Sequence, residues 1–140
     1  MKSTITGWGK CVPDNVVTND DMATFIDTSD EWIQQRTGIK ERRFSHVNNS
    51  DMATVAGLRA IATAGLQPED IDVVILATCT PDSIVPSAAS HVQKKMGCVN
   101  AIVYDVNAAC AGFLYAKQQA KAFIESGIYK NAVVIGSEHI

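Results

Sequence analysis

Asp105-Val106-Asn107-Ala108-Ala109-Cys110-Ala111-Gly112-Phe113 joins a short apolar strand to a helix, with a cysteine at the junction. Upstream, Ala101-Ile102-Val103-Tyr104 is β-branched and aromatic enough for a buried strand. Downstream, Phe113, Leu114, Ala116, Ala120, Phe123 and Ile124 recur at helical spacing up to Gly127. Cys110 therefore falls at the first turn of a helix, where unpaired N–H groups and the positive end of the macrodipole favour an anion. Ala108, Ala109, Ala111 and Gly112 leave the sulfur uncrowded and let a substrate approach the backbone, as a nucleophile elbow requires. The same residues also suit a buried structural cysteine, since free Cys is among the most buried residue types. Local context leaves both readings open.

Working outward, Ile71-Asp72-Val73-Val74-Ile75-Leu76-Ala77-Thr78 is a near-continuous apolar run of the kind that fills a parallel strand covered on both faces. Thr80 to Ser83 reads as a loop. Ser87 is placed to cap a helix through Ala89, Val92 and Met96 that Gly97 ends, and Ala132-Val133-Val134-Ile135 reads as a last strand. The order β-α-β-α-β predicts an α/β layered fold with a largely parallel sheet. Before it, Met52, Val55, Leu58 and Ala62 share a predicted helix face, with Gly65 at the exit. Nearer the start, Ile5 to Gly9 reads as a weak strand with Trp8 as packing, and Val12 to Asn15 as a turn. Thr18-Asn19-Asp20-Asp21 opens a short helix through Met22, Phe25 and Ile26. A second helix follows, with Thr28 and Glu31 at capping-box spacing, Trp32 and Arg36 four apart on one face, and Gly38 as the stop.

With 46% hydrophobic and 19% charged residues over 140 positions, the chain can bury a core and is not disordered. A net charge of -3 gives no general attraction for nucleic acid or an anionic membrane, so any phosphate must be bound locally. Cys11, Cys79, Cys98 and Cys110 form no C-x-x-C pair, which argues against a zinc ribbon or a dithiol redox motif. Free thiols suit a reducing cytoplasm. Cys11, Cys79 and Cys98 lack the surroundings of Cys110 and are expected to be structural. No apolar segment follows Met1-Lys2-Ser3-Thr4, and runs such as Val73 to Ala77 are too short to cross a bilayer, so a cytoplasmic protein is expected. His46, His91 and His139 have no ligand-type partner at i,i+4, and no metal site is expected. An indole such as Trp32 can stack on a purine while a guanidinium one turn on forks a phosphate; the pair equally suits a surface helix with a solvated arginine. Lys40, Glu41, Arg42 and Arg43 form a small basic cluster that could meet an acidic partner or phosphates, or form a solvated strand edge.

Asn107 to Phe113 resembles the active-site cysteine motif of β-ketoacyl-acyl-carrier-protein synthase III, the initiating condensing enzyme of bacterial fatty acid synthesis. Asp27-Thr28-Ser29-Asp30-Glu31-Trp32-Ile33, Arg36-Thr37-Gly38-Ile39, Glu41-Arg42, Pro86-Ser87-Ala88-Ala89 and Gly136-Ser137 are similar to further landmarks of that family, in the family's order. The resemblance implies the thiolase fold, of which these residues would be the N-terminal half, residues 1–140. It implies Cys110 as the acyl-carrying nucleophile, Trp32, Arg36 and Thr28 as coenzyme A contacts, and Val85 as the far wall of the acyl pocket across a homodimer. It further implies acyl-coenzyme A and malonyl-acyl-carrier protein as substrates, with no cofactor beyond acyl-coenzyme A as substrate and no metal. The family's catalytic histidine and asparagine would lie outside these residues, so the 140-residue chain alone is expected to be inactive. Two alternatives are a related condensing enzyme of secondary metabolism and a non-catalytic coenzyme A-binding or dimerisation module.

Overall fold

The computed structural model describes residues 2–139, which form two compact units, residues 12–46 and residues 2–11 with 47–139. In the smaller unit, β1 (Asn15–Thr18) pairs antiparallel with β2 (Glu41–Phe44), Asn15 opposite Phe44 and Thr18 opposite Glu41. α1 (Asn19–Ala23) starts at Thr18 in a capping box with Asp21, and α2 (Asp30–Thr37) ends at Gly38, whose φ of 73° is the left-handed stop that glycine allows. The segment read as turn and helix entry thus contains a strand: Val16 and Val17 are β-branched and find their ladder partners in Arg43 and Arg42. The cap of α2 is Ser29, whose hydroxyl accepts from Trp32 N at 3.1 Å, and not Thr28. The 40–43 cluster is a strand edge. Arg42 donates to Asn19 Oδ1 (2.7 Å) and Val17 O (3.3 Å), and Arg43 pairs with Glu41.

The larger unit is built on a parallel three-stranded sheet in the order β4-β3-β5, comprising β3 (Val73–Ala77), β4 (Ile102–Val106) and β5 (Ala132–Gly136). Val73 lies opposite both Ile102 and Ala132. All five β3 residues are buried because both faces are covered. On one face Val74 and Leu76 pack with α3 (Asn49–Thr63) and α4 (Ala88–Met96) through Ala53, Ile61, Ala89, Val92 and Met96. On the other, Val73, Ile75 and Ala77 meet Ala116 and Ala120 of α5 (Gly112–Glu125). The predicted β-α-β-α-β order is the one observed.

Two expectations are corrected here. The buried stripe of α3 is Met52, Ala53, Gly57 and Ile61, while Val55 and Leu58 are exposed. Small residues are chosen at the contact: a Cβ on Gly57 would overlap Met96 Sδ and touch Ile135 Cδ1. Ile5 to Gly9 forms no strand among the described residues, and Trp8 is exposed. Gly7 and Gly9 instead lie so close to α3 that a Cβ on either would strike the Ala60 or Ala56 carbonyl.

Candidate active site

The carboxyl ends of parallel strands are where an α/β sheet offers free loops for chemistry. Here pairing runs one residue past the strands, with Thr78 N donating to Val106 O (3.1 Å) and Ser137 N to Ala77 O (3.2 Å), and then the three chains diverge. After β4 the chain turns sharply. Ala109 has φ 44°, a left-handed conformation that costs a non-glycine residue about 1–2 kcal/mol. Ala109–Ala111 form one 3₁₀ turn, and α5 begins at Gly112. Cys110 thus stands in the turn just ahead of the helix, and its side chain is exposed. Gly112 is buried, and a Cβ there would sit 3.3 Å from Ala77 Cβ, so glycine lets the start of α5 settle on the end of β3. The sequence pattern places Cys110 in the first turn of the helix; it lies just before that helix, in a strained turn with small neighbours and an exposed sulfur.

Asp105 holds the next layer. Alternation along β4 points Tyr104 and Val106 toward α5 and Asp105 toward α4, where its two oxygens accept from Ala88 N (2.8 Å) and Ala89 N (2.7 Å). Ser87 occupies the cap position of α4 without a side-chain cap bond, so a carboxylate from the neighbouring strand caps this helix. The loop it anchors carries Ile84 and Val85, 86% and 88% exposed, and is braced by Ser83 Oγ donating to Pro86 O (2.7 Å) and lying 3.1 Å from His91 Nε2.

The other cysteines divide. Cys98 is fully buried, and burial, with a smaller effect of Glu69, pushes its thiol up to about 11. Cys11 is half-buried. Cys79 is exposed, which overturns its reading as a structural residue: it follows the last buried residues of β3 and lies in the turn at the open end of the sheet. That turn is gripped by Glu138, which accepts from Thr78 Oγ1 (3.1 Å), Cys79 N (2.9 Å), Thr80 N (3.0 Å) and Thr80 Oγ1. Asn49, buried at the start of α3, donates through Nδ2 to Thr78 Oγ1 (2.8 Å), Thr80 O (3.0 Å) and Ser137 O (3.1 Å). Sequence spacing did not mark Glu138 or Asn49; Asp105 had one visible signal, a charge inside an apolar strand.

In the smaller unit Arg36 Cζ lies 5.6 Å from the centre of the Trp32 ring, so the i,i+4 pair does meet, through a cation–π contact. Trp32 is more than half exposed. With Asp27, Thr28 and Ser29 it lines an open hollow of ≈ 320 Å³. The Thr28 hydroxyl oxygen is buried without a hydrogen-bond partner among the described residues. Asp30 is fixed beside α1 by Asn19 Nδ2 (2.8 Å) and by Gln34, which hold its carboxyl below the usual range. Among the described residues no group of three or more His, Cys, Asp or Glu could hold a metal ion, and no helix is long and apolar enough to cross a membrane.

The family model for 3-oxoacyl-[acyl-carrier-protein] synthase III matches residues 104–140, the stretch that contains the elbow. The chain is 54% identical to β-ketoacyl-[acyl-carrier-protein] synthase III 2 of Vibrio vulnificus over 97% of its own length and 38% of that protein. It is 53% identical to β-ketoacyl-[acyl-carrier-protein] synthase III of Clostridium acetobutylicum over 96% of its own length and 42% of that protein. The crystal structure of 3-oxoacyl-[acyl-carrier-protein] synthase III from Aquifex aeolicus superposes with a TM-score of 0.94 at 47% identity, over 96% of this chain and 44% of that one. The priming β-ketosynthase of the R1128 polyketide pathway superposes at 0.93 with 34% identity, over 96% and 41%. The chain spans less than half the length of the curated relatives it matches. Along nearly all of its residues the chain is similar to part of β-ketoacyl-acyl-carrier-protein synthase III proteins, and it has their thiolase-like α/β fold.

Proposed function

We propose that this chain is the N-terminal half of an acyltransferase that condenses an acyl-coenzyme A primer with malonyl-acyl-carrier protein through an acyl-cysteine at Cys110. The observation that carries the reading is the accessible thiol on a strained turn between β4 and α5, in a stretch that the synthase family model matches. The Cys110 thiolate attacks the thioester carbonyl; a carbon–sulfur bond forms to Cys110, the bond to coenzyme A sulfur breaks, and coenzyme A leaves as its thiol. Dividing the transfer into two steps is what a covalent nucleophile offers. Malonyl-acyl-carrier protein then loses carbon dioxide, its carbanion attacks the acyl carbonyl, and Cys110 is released as the 3-oxoacyl product departs. The backbone N–H of Cys110 supports the oxyanion in acyl transfer. The histidine and asparagine that stabilise the enolate belong to residues beyond these, and the 140 residues alone are inactive. No cofactor beyond acyl-coenzyme A as substrate is used.

Trp32, Arg36 and Thr28 serve coenzyme A. Arg36 already covers part of the indole, so the adenine takes the exposed remainder of the ring, and Thr28 lines the same hollow. Val85, exposed on a braced loop, closes the far end of the acyl pocket of a second copy in a homodimer. An isopropyl group fills less space than an aromatic ring, and each methylene accommodated contributes about 0.8 kcal/mol. The R1128 relative makes a polyketide role the second reading.

The test uses the product of the longest reading frame containing these residues, given malonyl-acyl-carrier protein and a series of acyl-coenzyme A primers. The expected outcome is a 3-oxoacyl product, with primers longer than acetyl accepted and lost in Val85→Phe. No condensation with any primer would refute the reading, and an unchanged primer preference in Val85→Phe would remove Val85 as the gate.

A further inference from the structure

Two thiols stand exposed at the carboxyl end of the sheet, Cys79 after β3 and Cys110 after the neighbouring β4. The strands they follow are paired in register, with Ala77 opposite Val106, so the two thiols leave the same edge of the sheet on adjacent strands. For an enzyme working through one acyl-cysteine this is a hazard. A Cys79 thiolate could attack an acyl group on Cys110, forming a carbon–sulfur bond to Cys79, breaking the one to Cys110 and returning Cys110 as the free thiol. The acyl group would then sit on a sulfur outside the elbow.

We propose that Glu138 is a positioning residue that clamps the Thr78–Thr80 turn and keeps Cys79 out of acyl exchange with Cys110. The acyl part rests on the function proposed above; the clamp does not. A carboxylate offers about four lone-pair sites, and Glu138 uses them on the hydroxyls of Thr78 and Thr80 and the successive backbone N–H groups of Cys79 and Thr80. Burial by itself would raise the Glu138 carboxyl, but the donors from Thr80, Cys79 and Thr78 outweigh it and hold it below the usual range. A fixed anion therefore faces the second thiol. The ionisable groups acting on Cys79 are Glu138 first and Cys110 last; hydrogen bonding to Glu138, desolvation and these charges push its thiol up against a smaller backbone effect. Beneath the turn, buried Asn49 ties Thr78 and Thr80 to Ser137, so β5, which delivers Glu138, cannot drift from the turn it grips. A generic structural clamp could be any set of hydrogen bonds; an anion beside the one other exposed cysteine also decides which sulfur reacts.

The test is iodoacetamide labelling across pH with peptide mapping, on the 140-residue chain, for wild type, Glu138→Gln and Glu138→Asp. In wild type the labelling midpoint of Cys79 is expected above that of free cysteine titrated under the same conditions. In Glu138→Gln it shifts to lower pH, and Glu138→Asp moves it back toward wild type. Cys98, fully buried, reports folding in the same digest. If it labels in Glu138→Gln, that variant has unfolded and the wild-type and Glu138→Asp profiles decide. A wild-type Cys79 midpoint at or below that of free cysteine, or the same midpoint in all folded variants, overturns the proposal. Supplying acyl-coenzyme A to the full reading-frame product adds a separate arm, in which Glu138→Gln should spread the acyl adduct from Cys110 to Cys79. Absence of any adduct in wild type would refute the acyl-transfer function, while the pH profiles still judge the clamp.

Discussion

Asp105 and Cys110 lie in one short segment but have opposite surroundings, one carboxylate committed to two backbone donors and one sulfur left open. Asp105→Ala strips α4 of its cap and leaves two helix N–H groups unpaired beside the core. The expected loss is about 1–3 kcal/mol, with Asp105→Asn retaining part of the bonding. Urea unfolding measures it, and an unchanged midpoint in Asp105→Ala would contradict the capping role. At this scale legibility depended on where a residue's partners lie. Cys110 was visible because its small neighbours adjoin it in the chain. Glu138 was not, because the groups it binds are 58 to 60 positions away and a lone glutamate after a strand has no spacing of its own. Cys79 was misjudged for the same reason, since its exposure is set by where β3 ends.

Elements were legible in proportion to how strongly burial constrains their pattern. β3, covered on both faces, has only apolar residues and could be read as central. β1 and β2 are short, polar and paired chiefly with each other, so neither shows the alternation that marks a half-buried strand. α3 was recognised but rotated, because Val55 and Leu58 outweigh Ala53 and Gly57 in any hydrophobic pattern while the small residues make the contact. Gly57→Leu should therefore destabilise the larger unit by about 1–3 kcal/mol or more through overlap with Met96 and Ile135, although it improves helix propensity. Thermal unfolding tests this; a gain in stability would mean that α3 and α4 do not pack as described.

For the molecule as a whole, stability should fall at both ends of the pH scale for different reasons. Asp21, Asp30, Asp51, Glu125 and Glu138 are all held below their ordinary values in the folded chain, so the stabilisation they give is present above about pH 4.5 and is lost as pH falls. Cys98 works in the other direction. Its thiol is raised from 9.0 to about 11 by burial, so its contribution is complete below pH 9 and disappears between about 9 and 11. At about 1.4 kcal/mol per unit this alkaline loss is on the order of 2–3 kcal/mol. Cys98→Ala should flatten it in pH-dependent urea unfolding, and an identical alkaline limb would show that Cys98 does not titrate on unfolding. The central claim, that Cys110 carries the acyl group, is tested most directly by mass spectrometry of the full reading-frame product after brief exposure to acyl-coenzyme A without malonyl-acyl-carrier protein. The expected result is one acyl group per chain on the peptide containing Cys110, with matching release of free coenzyme A and neither in Cys110→Ala; an adduct mapped to another residue, or retained in Cys110→Ala, would contradict it.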